Sequence, residues 1–194
     1  MALHALKVGV TETDYLQAER QAPTKSEYLA GQVRAMAGAS RAHNRLTFHL
    51  SGLLYNSLRG RPCEAFSADM RVHIPEAQAY FYPDVVIVCG QPQFEDEQED
   101  NLLNPTVVIE VLSPSTEAFD RGEKFAAYQR IPTLREYLLV AQDRMHVEHY
   151  IRQPDGQWSR TAYDHPEQSV ALQSVAVVLP LRAIYEGISV SQEA

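Results

Sequence analysis

Two carboxylates sit where carboxylates are costly. Asp84 heads the run Asp84-Val85-Val86-Ile87-Val88, and Glu110 lies inside Val107-Val108-Ile109-Glu110-Val111-Leu112. Both runs are continuous and β-branched, the pattern of strands buried on both faces. An unpaired, ionised carboxylate there must be neutralised by an ion pair, a proton or a metal ion. Adjacent strands run about 4.8 Å apart, so acids on two such strands repel each other but can share one divalent cation. Oxygen-only donors favour Mg2+ or Mn2+ over zinc. The plainer alternative pairs each acid with a nearby arginine or uses it to cap a loop. Downstream, Asp120 and Lys124 stand four residues apart in the acid-first order that stabilises helices. They fit a surface ion pair. They also fit a lysine laid over the metal, polarising water or stabilising charge on phosphorus.

Weaker candidates surround these. His43 borders the apolar face of a helix, where packing or capping competes with catalysis. Ser113 can cap the helix that follows it or orient Glu110. Asp69 is placed to pair with Arg71. His146 and His149 fall on opposite faces of a strand and cannot form one ligand pair. No nucleophilic serine or cysteine motif is present, and no glycine-rich loop precedes Lys-Ser/Thr.

The elements that must position these residues can be read in outline. Thr11 and Asp14 have capping-box spacing and open a helix that ends before Pro23. Glu27 to Met36 reads as a hairpin turning at Ala30-Gly31-Gln32. Ser40 to Arg59 is the clearest helix, with Leu46, Leu50, Leu53, Leu54 and Leu58 at helical spacing and Ser40 as N-cap. Glu64 to Ile74 reads as extended with a bend near Ser67, and Pro83–Cys89 and Thr106–Leu112 as buried strands. Ser115 to Arg130 reads as a helix. Strands are predicted over Arg135–Val140, His146–Arg152 and Gln157–Tyr163, then a strand near Val175–Leu179 and a helical turn at Leu181–Tyr185. The fold class is α/β or α+β, with central buried strands joined by a helix and flanked by hairpins.

Composition narrows the setting. The 194 residues suit a single domain with its core over about 11–185. No apolar run reaches the roughly 18 residues of a membrane span. Met1-Ala2-Leu3-His4 opens no basic-then-apolar leader, so a cytoplasmic protein is expected. Cys63 and Cys89 read as two small buried thiols. The net charge of −8 argues against broad affinity for polyanions. Glu95, Asp96, Glu97, Glu99 and Asp100 account for five of those charges and read as a solvated loop. The remainder leaves room for a local basic groove.

Pro83-Asp84 followed by Glu110-Val111-Leu112 resembles the signature of the PD-(D/E)XK nuclease superfamily. More closely, the chain resembles the Uma-type restriction endonuclease family, a bacterial domain of unknown function. The matching stretches are Glu27-Tyr28-Leu29-Ala30-Gly31-Gln32-Val33, Ser40 with His43, and Tyr82-Pro83-Asp84-Val85. The most specific is Val108-Ile109-Glu110-Val111-Leu112-Ser113-Pro114-Ser115-Thr116, followed by Asp120, Lys124 and Tyr128. The similarity runs from about Thr11 to Tyr185.

The resemblance implies a restriction-endonuclease-like core, a central mixed β-sheet flanked by helices. It implies a metal-dependent endodeoxyribonuclease in which Asp84 and Glu110 chelate Mg2+, or Mn2+, which activates water against a phosphodiester of DNA. Glu27 matches a further acid that could complete the metal site; as a plain hairpin residue it would instead be exposed. The superfamily lysine normally lies two residues after the glutamate. That position is Leu112 here, and Lys124 matches the family's lysine on the next helix. The broken motif and the acidic charge keep a second reading open, a catalytically inactive binding or assembly module with the nuclease fold. Nuclease folds that cut both strands usually pair, so a homodimer is expected.

Overall fold

The computed structural model describes residues 6–189, so the Met1–His4 stretch lies outside the described residues. One six-stranded sheet contains β1 (Leu6–Lys7), β2 (Ser26–Leu29), β3 (Gln32–Ala35), β5 (Arg71–Ile74), β6 (Ala79–Phe81) and β8 (Asn101–Leu102). Its order is β1-β3-β2-β6-β5-β8. A second contains β4 (Cys63–Ser67), β7 (Val85–Cys89), β9 (Val107–Leu112), β10 (Glu136–Ala141), β11 (Val147–Arg152) and β12 (Trp158–Tyr163). Its order is β12-β11-β10-β9-β7-β4, mixed, with β9 and β10 parallel. A hairpin of β13 (Ser169–Leu172) and β14 (Val177–Pro180) stands apart. The helices are α1 (Glu12–Glu19), α2 (Arg41–Leu58) and α5 (Leu181–Ile184), with a helical segment over 117–128.

The predicted elements form for the expected reasons. Thr11 accepts from the Asp14 backbone N–H at 3.1 Å and caps α1. Ser40 caps α2 by accepting from His43 N–H at 3.0 Å. The β2–β3 turn places Ala30 and Gly31 at φ 46° and 87°, the doubly positive conformation of the tight hairpin turn. Leu46, Leu50, Leu54 and Leu58 of α2 pack on Val85, Ile87, Val107 and Ile109, one face of the second sheet, with β13, β14 and α5. Val86, Val88, Val108 and Leu112 point the other way, against Val72, Ile74 and Phe81 of the first sheet and the rings of Phe125 and Tyr128. The β-branched strands are thus covered on both faces. The alternation also directs Glu110 into the layer between the two sheets.

The separation into two sheets exceeds what the sequence suggests. The chain leaves the second sheet after β4 at Ala68, where φ is 63°. It returns at Tyr82-Pro83-Asp84, between β6 and β7. Pro83 has no N–H to give a ladder, which suits a place where pairing must stop. Both crossings lie beside the candidate site.

Four expectations need correction. Cys63 and Cys89 are not free thiols: they face each other across β4 and β7 and form a disulfide. The cross-link spans a sequence separation of 26, and a loop of that size limits the unfolded chain enough to stabilise the fold by about 3 kcal/mol. Chemical denaturation with and without dithiothreitol should show a loss near that size, and Cys63→Ser with Cys89→Ser should reproduce it. Arg71 pairs with Asp100 rather than Asp69, which instead meets Lys25. The acidic loop is not merely solvated. Arg20 binds Asp96 at 2.8 Å and Asp100 at 2.6 Å, and the Tyr80 hydroxyl donates to Glu95 at 2.7 Å. Lastly, the segment over 117–128 is not one α-helix. It comprises α3 (Glu117–Phe119), a π-helical turn (Asp120–Lys124) and α4 (Phe125–Tyr128).

Among the described residues no helix is long and apolar enough to cross a membrane.

Candidate active site

Three elements deliver one buried ionic cluster. Glu27 comes from β2 of the first sheet, Glu110 from β9 of the second, and Asp120 and Lys124 from the π-helical turn. The Lys124 Nζ lies 2.7 Å from Glu27 Oε1, 2.9 Å from Glu110 Oε1 and 3.5 Å from Asp120 Oδ1. The Tyr128 hydroxyl donates to Glu110 Oε1 at 3.1 Å, and the Tyr82 backbone N–H donates to Glu27 Oε1 at 3.2 Å. Glu110, Asp120 and Lys124 are each 3 % exposed and Glu27 7 %. Asp120 and Lys124 are therefore not a surface pair, and Glu27 is not an exposed hairpin residue.

The π turn sets the lysine's position, and a second ionic group fixes the turn. Arg121 lies inside it and binds Glu148 of β11. Glu148 also accepts from the Tyr150 hydroxyl at 2.8 Å and from Arg160 Nε at 2.6 Å. The Tyr137 hydroxyl donates to the Asp120 carbonyl at 2.9 Å. Burial pushes the Glu148 carboxyl up, but hydrogen bonds from Tyr150, Arg121 and Arg160 outweigh it and hold it at about 2. A depressed folded value stabilises the fold above the ordinary carboxylate range, and that stability is lost as pH falls through the folded value. Allowing for solvent around the half-exposed Arg160, unfolding free energy should drop by about 2 kcal/mol between roughly pH 5 and pH 2 on this group's account. Glu148→Gln should remove that part of the pH dependence in parallel denaturation curves.

Asp84 sits beside the cluster. Continuing the antiparallel register of Val85 with Ile109 places it opposite Glu110. Its Oδ2 accepts from the Val111 N–H across the strand gap at 2.7 Å, and its Oδ1 meets His43 Nε2 at 2.6 Å. His43, at the start of α2, thus holds a carboxylate and does more than pack the helix. Ser113 does not touch Glu110. Its hydroxyl bonds with those of Ser115 and Thr116, and its carbonyl accepts from the N–H groups of Thr116 and Glu117, shaping the entry to α3.

Proton affinities follow from the crowding. Burial drives the Glu110 carboxyl well above the usual carboxylate range; Lys124 opposes this, while Asp120, Asp84 and Glu27 add to it. Burial disfavours the Lys124 ammonium, yet Glu110, Glu27 and Asp120 outweigh it and raise its proton affinity well above normal. Burial, followed by the charge of Glu110, pushes the Tyr128 phenol up as well. One ammonium faces several acids, so the lysine stays charged.

The donors suit a hard cation in kind. Asp84 and Glu110 offer oxygen only, and the Glu110 Oε2 accepts no hydrogen bond from the described residues. Among the described residues no three His, Cys, Asp or Glu side chains are gathered as a ready cage. A pair of carboxylates is nevertheless the usual protein share for Mg2+, which keeps most of its waters or takes substrate phosphates. Glu27 is held in the same way, its Oε1 by Lys124 and the Tyr82 N–H, but it comes from the other sheet.

The family model described as "Putative restriction endonuclease", Uma2, matches residues 13–182. The chain belongs to the Uma2 family. Among its relatives, the uncharacterized protein sll1609 of Synechocystis sp. is 46% identical over 152 residues, covering 78% of this chain and 86% of the relative. The uncharacterized protein slr1290 of the same organism is 36% identical over 176 residues, covering 91% of each. A solved structure from Anabaena variabilis, described as a putative nuclease belonging to DUF820, superposes with a TM-score of 0.75 at 17% identity. It covers 93% of this chain and 99% of the Anabaena chain. Within the Uma2 chain, Tyr128 is the site contact that sequence reading gave no role; its place one helical step after Lys124 was the available signal.

Proposed function

We propose that this Uma2 protein is a metal-dependent endonuclease acting on DNA, with Asp84 and Glu110 holding Mg2+. The observation that carries the reading is the union of two acids on paired central strands with a charged lysine from the following helical segment. A bound divalent cation would lower the pKa of its water and offset charge on the scissile phosphate. Lys124 acts as a cation. Its ammonium meets three carboxylates, a setting that suits it to stabilise developing phosphoryl charge. Glu27 fixes the ammonium from the opposite sheet, and Tyr128 and Lys124 together hold one oxygen of Glu110, leaving the other free for metal. His43 and the Val111 N–H hold Asp84 in place.

One observation favours a second reading, a nuclease-fold binding module without catalysis: Lys124 and Glu110 are each only 3 % exposed and already satisfy one another. Incubation with supercoiled plasmid and single-stranded DNA separates the two. The nuclease reading expects nicked or linear product in Mg2+ or Mn2+ and none in EDTA. Absence of cleavage, together with no calorimetric heat from either metal, would favour the binding module.

A further inference from the structure

The β2–β3 register places Arg34 directly opposite Glu27. Cross-strand partners share a face of their sheet, so Arg34 stands on the face that delivers Glu27 to the cluster. Its guanidinium lies 3.9 Å from the centroid of the Phe119 ring. Phe119 meets Phe81 edge-on at 5.9 Å, and the Lys124 Nζ lies 5.5 Å from the centroid of the Phe81 ring. Arg34, Glu27, Phe81 and Phe119 line one small cavity. Two cations therefore flank an aromatic pair, one buried at the cluster and one half-buried at the rim.

Among the described residues the Arg34 side chain has no acidic partner. Arg20, Arg71, Arg121 and Arg160 all bind carboxylates. Among the described residues the Arg34 guanidinium makes no hydrogen bond or ion pair, only the ring contact. Stacking on a ring fixes the plane of a guanidinium while leaving its N–H edge free to pair with two oxygens of a phosphate. The cluster needs such a group. Glu27, Glu110 and Asp120 surround a single ammonium with Asp84 beside them, and a phosphodiester approaching those acids is repelled.

We infer that Arg34 is the residue that binds the nucleic-acid phosphate backbone at the mouth of this site, its fork presented by Phe119. The inference rests on the nuclease reading and adds the substrate contact that reading lacks. Its test is binding of a short fluorescein-labelled DNA duplex, in Ca2+ to suppress cleavage, at several salt concentrations. Arg34→Ala should bind about tenfold more weakly, equally across base sequences, with the salt slope reduced by about one. Arg34→Lys should keep the slope and recover part of the affinity. In Mg2+, Arg34→Ala should raise KM more than it lowers kcat. Circular dichroism melting close to wild type would show that the fold is intact. Wild-type affinity and slope in a folded Arg34→Ala protein would overturn the inference while leaving the nuclease reading standing. A wild-type protein that neither binds nor cuts DNA would overturn the nuclease reading and this inference with it.

Discussion

Lys124→Met is expected to lower the free energy of unfolding by about 3–5 kcal/mol, the usual effect of stripping one partner from a buried ion pair. Lys124 is 3 % exposed and is the cation that meets Glu27, Glu110 and Asp120. Methionine fills similar volume, so the loss measures charge and not a cavity. Three buried carboxylates would remain without a counter-ion and would either take up protons or loosen the π-helical turn. The sign with pH follows from the raised lysine value. Its stabilisation is present below the ordinary lysine range and disappears only as pH rises through the higher folded value. Urea denaturation at neutral pH, with m unchanged, provides the measurement. A loss below about 1 kcal/mol, the level of a surface pair, would show that the cluster is not closed around this lysine. Adding Glu27→Gln to Lys124→Met should restore part of the stability, because it removes one of the orphaned charges.

Glu110→Gln should do the opposite to stability and far more to activity. Glutamine keeps the shape and can still accept from Tyr128 and Lys124, which now hold Oε1 at 3.1 Å and 2.9 Å. It removes a charge that burial and three neighbouring acids already disfavour. Stability should therefore hold within about 1 kcal/mol of wild type or improve. Metal-dependent cleavage should fall by about 10²–10³-fold, the scale of losing one preorganised electrostatic contact in a transition state. A single-turnover assay beside a urea melt gives both numbers from one preparation. Cleavage lost in step with stability would mean that Glu110 serves the fold alone.

The contrast between these variants reflects what sequence could and could not reveal. Strands β7 and β9 were legible because an unbroken β-branched run has few other uses, and the acids within them stood out for the same reason. Helix α2 was legible from its leucine spacing and serine cap. The burial of Asp120 and Lys124 was not, since acid-to-lysine spacing on a helix looks the same under a sheet as in water. Nothing local marks the π turn either; distant groups hold it, Glu148 through Arg121 and Tyr137 through the Asp120 carbonyl. Glu27 read equally as exposed or functional until a second sheet faced it. That sheet was hidden by short strands that change partners within three or four residues, at Ala68 and at Tyr82-Pro83. The disulfide depends on the register of β4 against β7, a long-range fact that two isolated cysteines cannot convey.

Asp84 is the residue on which the functional account turns, because its acid lies opposite Glu110 and its removal leaves Lys124 with all its partners. The decisive measurement is therefore single-turnover cleavage of DNA in Mg2+ by wild type and by Asp84→Asn, with EDTA controls and a melting curve for each protein. The account predicts that wild type cuts only with metal and that a folded Asp84→Asn protein does not cut. Cleavage by Asp84→Asn at the wild-type rate, or cleavage by wild type in EDTA, would contradict it.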